Sequence, residues 1–217
     1  MHPWTALFDL DGTLVDSVPD LAAALNRLMA ANGEPPFARA EVAAMVGDGA
    51  AALVAKAFSA RAMPADATAL PAFLADYGAH AVVETHAYPG IPEALTALCE
   101  AGWRMAVCTN KPEIAARTVL DGLGLSRFFA AVGGGDSFPV RKPDPAHLFA
   151  TLAAADGDPT RVLMVGDHYN DVTAANAAGI PCVFAAWGYG SRQAGATAAV
   201  TVEHAVELLP FMARLAG

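Results

Sequence analysis

The stretch Thr5-Ala6-Leu7-Phe8-Asp9-Leu10-Asp11-Gly12-Thr13 runs apolar, then acidic, then breaks at a glycine. It reads as a short buried strand whose end carries two carboxylates. Asp9 and Asp11 alternate along it, so their side chains leave on opposite faces unless the chain turns at Gly12. Outward from this strand, Asp16 to Ala31 places Leu21, Ala24, Leu25, Leu28 and Met29 at helical spacing. The pattern stays helical and alanine-rich to about Ala87, with turn signals at Gly47-Asp48-Gly49 and Met63-Pro64 and no strand pattern.

After Tyr88-Pro89-Gly90 the rhythm changes. Helical segments are expected over 91–101, 113–120, 144–155 and 170–178, and a closing helix over 202–215. Apolar strands are expected over 103–109, 128–132, 161–165 and 180–185. Strands alternating with helices imply an α/β fold, a doubly wound parallel sheet. The helical run interrupts it as an insert. The expected division is a Rossmann-like core of residues 1–14 and 87–217 and an α-helical cap of residues 15–86.

Composition narrows the function. The 217 residues are 55% hydrophobic and 16% charged, enough for a sizeable core. The net charge of −9 argues against a nucleic-acid partner, whose phosphates call for lysine and arginine. No apolar run reaches membrane-spanning length, so no membrane partner is expected. Met1 to Thr5 lacks the pattern of a secretion signal. Cys99, Cys108 and Cys182 are scattered, so a disulfide framework is not expected and a cytoplasmic setting fits. Cys108 reads as core. His2, His80, His86, His147 and His204 lack the clustering of a metal site. A monomer or homodimer is expected.

In an open parallel sheet, ligands gather at the carboxyl ends of the strands. There this chain places Asp9 and Asp11, then Thr109-Asn110-Lys111, then Gly166-Asp167 with Asp171 one helical turn on. Lys142 stands just before the helix that opens at Asp144-Pro145. Four segments thus aim carboxylates and a cation at one rim. Phosphate-ester hydrolysis needs such a set. One carboxylate attacks phosphorus while its neighbour exchanges a proton. Asp167 is an oxygen ligand suited to Mg²⁺. Lys142 offers a compact positive charge. Thr109 and backbone amides near Gly12 and Asn110 can donate to phosphoryl oxygens.

The ordered set Asp9-x-Asp11-Gly12-Thr13, Thr109-Asn110, Lys142-Pro143 and Gly166-Asp167-x-x-x-Asp171 resembles the motifs of the haloacid dehalogenase superfamily. The resemblance implies a Mg²⁺-dependent enzyme with Asp9 as nucleophile and Asp11 as general acid, then base. It implies that Asp9, the Asp11 carbonyl and Asp167 hold the metal, with Asp171 supporting it. Thr109 and Lys142 would bind the phosphoryl group.

Val46-Gly47-Asp48-Gly49, Tyr88-Pro89-Gly90, Lys142-Pro143-Asp144-Pro145 and Trp187-Gly188-Tyr189-Gly190 resemble the phosphoglycolate phosphatases within it. That likeness implies a small phosphate-ester substrate, 2-phosphoglycolate first, with Gly49 in a cap loop facing it. Arg27, Arg39, Lys56 and Arg61 are the cap cations expected for its carboxylate. His168 departs from the fourth motif, which usually has a small hydroxyl residue there. Asp16 and Ser17 are expected to start the first cap helix or form the hinge before it. Three rivals remain: a phosphatase for another phosphosugar or pyrophosphate, a phosphomutase, and a non-catalytic phosphoester-binding protein. A dehalogenase would leave Asp11 and the metal set without a purpose.

Overall fold

A computed structural model describes residues 3–64 and 66–216; His2 lies outside the described residues. The core is a six-stranded parallel sheet formed by β1 (Thr5–Phe8), β4 (Arg104–Cys108), β5 (Ala131–Gly133), β6 (Val162–Gly166), β7 (Cys182–Ala185) and β8 (Val200–Val202). Its order is β5-β4-β1-β6-β7-β8. Thr5 pairs with Arg104 on one side and Val162 on the other, so β1 is central and the winding reverses there.

Strand β1 is buried along its whole length because both sheet faces are covered. Alternation sorts its side chains. Ala6 and Phe8 join the core that includes Leu95 and Leu98 of α5 (Ile91–Glu100), Val119 of α6 (Glu113–Gly122) and Met212 of α9 (Leu208–Ala216). Leu7 joins the opposite core, with Leu148 and Leu152 of α7 (Pro145–Ala154) and Val172 of α8 (Tyr169–Ala178). Asp144 caps α7 by accepting from the Ala146 amide at 2.9 Å, and Pro145 occupies its first turn.

Four helices lie between β1 and α5 in the chain: α1 (Val18–Ala31), α2 (Arg39–Ala43), α3 (Ala50–Ala60) and α4 (Ala69–Ala79). A two-residue antiparallel ladder brackets them. β2 (Val15–Asp16) pairs with β3 (His86–Ala87), which contradicts the helical pattern read to residue 87. The pairing is too short for periodicity to reveal. The far end differs as well. Residues 200–202 form edge strand β8, and the closing helix starts only at Leu208. Three residues paired on one side owe their conformation to β7, not to their own pattern.

Asp20 ties the two chain crossings together. Its buried carboxylate accepts from the Val83 amide at 2.9 Å, the Glu84 amide at 3.0 Å, the Thr85 amide at 2.8 Å and the Thr85 hydroxyl at 2.7 Å. Burial pushes its pKa up, but these hydrogen bonds outweigh it and hold the carboxyl below its ordinary value. Asp20→Ala leaves buried donors unpaired and is expected to lower unfolding free energy by about 2–3 kcal/mol at neutral pH. A lowered folded pKa stabilises above the unfolded value and is lost as pH falls through the folded one. The gap between wild type and Asp20→Ala in urea denaturation should therefore narrow below about pH 4.

Candidate active site

The site forms where the winding reverses. Asp9, Thr109 and Asp167 each follow the last residues of neighbouring strands β1, β4 and β6. Carboxylate oxygens of Asp9, Asp167 and Asp171 all lie within 4.8 Å of one another, and all three residues are buried. Lys142 reaches into this group from the loop before α7. Its Nζ lies 2.9 Å from Asp9 Oδ1 and 2.6 Å from Asp171 Oδ1, and donates to the Cys108 carbonyl at 2.5 Å.

One ammonium therefore faces three buried carboxylates. Burial works against the Lys142 charge, but Asp171 and Asp9 outweigh it and hold the ammonium above its ordinary pKa. Asp167 is pushed up to about 8, first by burial and then by the charges of Asp9 and Asp171. Unmatched negative charge in a buried oxygen-rich group fits a hard divalent cation. Asp171 is fully buried and lies against Lys142. Besides Lys142, it accepts from the His168 amide at 3.0 Å, so it supports the group from behind. The Asp11 side chain lies outside this group.

Asp167 is fixed from two directions. Thr13 donates its hydroxyl at 2.9 Å, and the Tyr189 and Gly190 amides donate at 2.8 and 3.2 Å. The loop after β7 can wrap this closely only because it carries glycine. A Cβ on Gly188 would stand 2.3 Å from the Asp167 Cβ. The same loop braces the start of α1. Trp187 donates to the Thr13 carbonyl at 3.0 Å, and the Tyr189 hydroxyl donates to Asp16 at 2.8 Å while accepting from the Ser17 amide at 2.8 Å.

His168 stands at the N-cap of α8, where its Nδ1 accepts from the Asn170 amide at 3.4 Å. It thus takes over a cap role that hydroxyl residues commonly fill. Its ring also covers Gly47, where a Cβ would approach within 2.6 Å of Nε2. Asp48 beside it accepts from Asn170 at 2.8 Å and from the Tyr169 hydroxyl at 3.0 Å, and pairs with Lys56 at 2.7 Å. Asn110 donates to the Gly47 carbonyl at 3.0 Å and to the Lys142 carbonyl at 2.9 Å. The Gly12 amide, expected near the phosphoryl group, donates instead to the Val15 carbonyl at 2.9 Å. Thr109 accepts from the Lys111 amide at 3.2 Å.

A cavity opens above Asp9. Asp9, Asp11, Thr109, Asn110 and Lys111 line it on the sheet side, and Gly47 and Gly49 at its edge. Leu21, Leu53, Phe73 and Tyr77 roof it. None of the expected cap cations lines it. Arg27 pairs with Asp76 and Arg39 with Glu84 at the surface. Lys56 holds Asp48, and Arg61 donates to the Pro35 and Pro36 carbonyls over the Phe37 ring. Lys111, which follows Thr109 and Asn110 at the end of β4, lines it instead. Its Nζ lies 3.0 and 3.1 Å from the two Asp11 oxygens and 4.5 Å from the centre of the Tyr77 ring. Ser17, expected at the start of α1, stands at its N-cap and turns its hydroxyl to Asp11 at 2.6 Å. Cys108 is buried core, its thiol pushed up to about 11 by burial.

Comparison with known proteins agrees with this geometry. The family model for haloacid dehalogenase-like hydrolases matches residues 5–179. A protein named phosphoglycolate phosphatase from Agrobacterium fabrum is 45% identical over 85% of this chain and 81% of its own. One of the same name from Rhodospirillum rubrum is 45% identical over 92% and 86%. A crystal structure described as a predicted phosphoglycolate phosphatase from Haemophilus somnus superposes with a TM-score of 0.86, at 29% identity over 97% of this chain and 98% of that one.

The charge imbalance makes opposite demands at two positions. Lys142→Met leaves three carboxylates without a cation and is expected to cost about 3–5 kcal/mol in metal-free urea denaturation. Asp167→Asn removes one surplus charge and should change stability by less than about 1 kcal/mol.

Proposed function

We propose, because the chain belongs to the haloacid dehalogenase-like hydrolase family, that it is a Mg²⁺-dependent phosphatase for small phosphate monoesters, with 2-phosphoglycolate preferred. The observation that carries the substrate is the 45% identity, over most of both chains, to relatives named phosphoglycolate phosphatase. The helical insert of residues 15–86 acts as a cap over the core of residues 1–14 and 87–217. Its apolar roof above Asp9 supports a small substrate and a reaction kept from bulk water. Three free cysteines support a cytoplasmic setting.

Asp9 is the nucleophile. One of its carboxylate oxygens bonds to phosphorus as the ester P–O bond breaks, leaving an aspartyl-phosphate. Lys142, 2.9 Å from Asp9, and the Thr109 hydroxyl hold the phosphoryl oxygens. Asp11 gives its proton to the departing ester oxygen. The Asp11 carboxylate then takes a proton from water, whose oxygen attacks phosphorus and returns Asp9 and inorganic phosphate. Asp9, the Asp11 carbonyl and Asp167 would hold Mg²⁺, with Asp171 behind them. The ion supplies positive charge that offsets the repulsion between carboxylate and phosphate. Asp171 keeps Lys142 in place, and Asn110 fixes the Lys142 loop.

The test is phosphate release from a panel that includes 2-phosphoglycolate, phosphosugars and pyrophosphate, with Mg²⁺ and with chelator. Release from 2-phosphoglycolate should lead the panel and require Mg²⁺, and Asp9→Asn should lower it by at least about 1,000-fold. Full activity in Asp9→Asn, or no release from any ester, would overturn the assignment.

A further inference from the structure

We propose that Lys111 is the residue that binds the carboxylate end of the substrate, and so sets the preference for anionic esters. This rests on the phosphatase reading above and adds a specificity residue to it.

The cavity raises the question by its own composition. Its roof is made of Leu21, Leu53, Phe73 and Tyr77, all buried side chains. A ligand whose phosphate sits beside Asp9 must put its other end under this roof. A carboxylate there, unpaired, would meet a large desolvation penalty, so a second cation is required. Lys111 is the one cation among the residues that line the cavity. The cap supplies none, since its arginines and Lys56 are engaged elsewhere.

Lys111 already holds a carboxylate, that of Asp11, on both oxygens. Burial works against its charge, but Asp11 and Tyr77 outweigh it and keep the ammonium above its ordinary pKa. The Tyr77 ring face 4.5 Å away gives the cation a fixed seat. A substrate carboxylate offers Lys111 the same partner chemistry as Asp11. The exchange swaps one carboxylate for another at Lys111, so the ammonium itself stays matched. It also takes Lys111 off the Asp11 oxygens, one of which must meet the leaving oxygen. Ser17 still holds Asp11 at 2.6 Å, so the freed carboxylate keeps one anchor. An ester with a neutral end offers no exchange and leaves the Lys111–Asp11 pair closed.

The test compares 2-phosphoglycolate with ethyl phosphate, which keeps the two-carbon ester and lacks the carboxylate. In Lys111→Met the ratio of their kcat/KM values should fall by about 30-fold or more, mainly through a raised KM for 2-phosphoglycolate. Lys111→Arg keeps the cation and should retain most of the ratio. Thermal melts establish that the variants fold, and Lys111→Gln replaces Lys111→Met if the latter does not. A ratio unchanged in a folded neutral variant would overturn the proposal. So would a wild-type protein with no preference for the anionic ester. If the wild type instead favours a different anionic ester, the 2-phosphoglycolate reading fails alone. The Lys111 proposal then stands if the ratio measured with that ester collapses in the neutral variant.

Discussion

Lys142 sits between Asp9 and Asp171, with its ammonium within 3 Å of both carboxylates and its other contact on a backbone carbonyl at the end of β4. The rest of the site follows from this contact. Three carboxylates cannot share a buried space unless positive charge is brought in. One lysine supplies part of it, and the remainder makes a place for a divalent cation. The fold makes the crowding possible. With β1 central and its neighbours β4 and β6 parallel to it, three strand ends deliver polar residues to one point. The apolar cores on both faces of the sheet hold those strand ends still.

The second constraint is the grip of the core on the insert. The Gly47-Asp48 turn is held by Asn110, Asn170 and Tyr169, and the His168 ring presses on Gly47. A side chain at residue 47 would collide with that ring, so the glycine and the histidine fit as a pair. Beneath, Tyr189 reaches from the loop after β7 to the start of α1, while its own amide holds Asp167. One loop therefore positions both a site carboxylate and the root of the insert.

Some of this was legible in the sequence, and the reason differs by residue. Asp9, Thr109 and Asp167 could be placed because a strand end and a glycine or turn signal are local features. The sheet followed from alternating segments long enough to show their period. The ladder between β2 and β3 and the edge strand β8 were missed because pairing with a distant partner creates them. Ser17 starts α1 as its residue type suggests, yet the nearby Asp11 carboxylate takes its hydroxyl. The cap cations misled for a related reason. Helical spacing fixes which face a residue occupies, but Arg27 and Arg39 found acidic partners at the surface. Lys111 was hidden by position, since nothing local tells a buried lysine after a strand from a solvated one. Its signal was Tyr77, an aromatic residue far along the chain whose ring the ammonium faces.

The proposed chemistry turns on Asp9 as the atom donor to phosphorus. Its most direct test is mass mapping of the protein quenched in acid during turnover of 2-phosphoglycolate with Mg²⁺. One added phosphoryl group is expected on the peptide that carries Asp9, and none in Asp9→Asn. A phosphoryl group on another side chain, His168 above all, with Asp9→Asn still turning over, would contradict it.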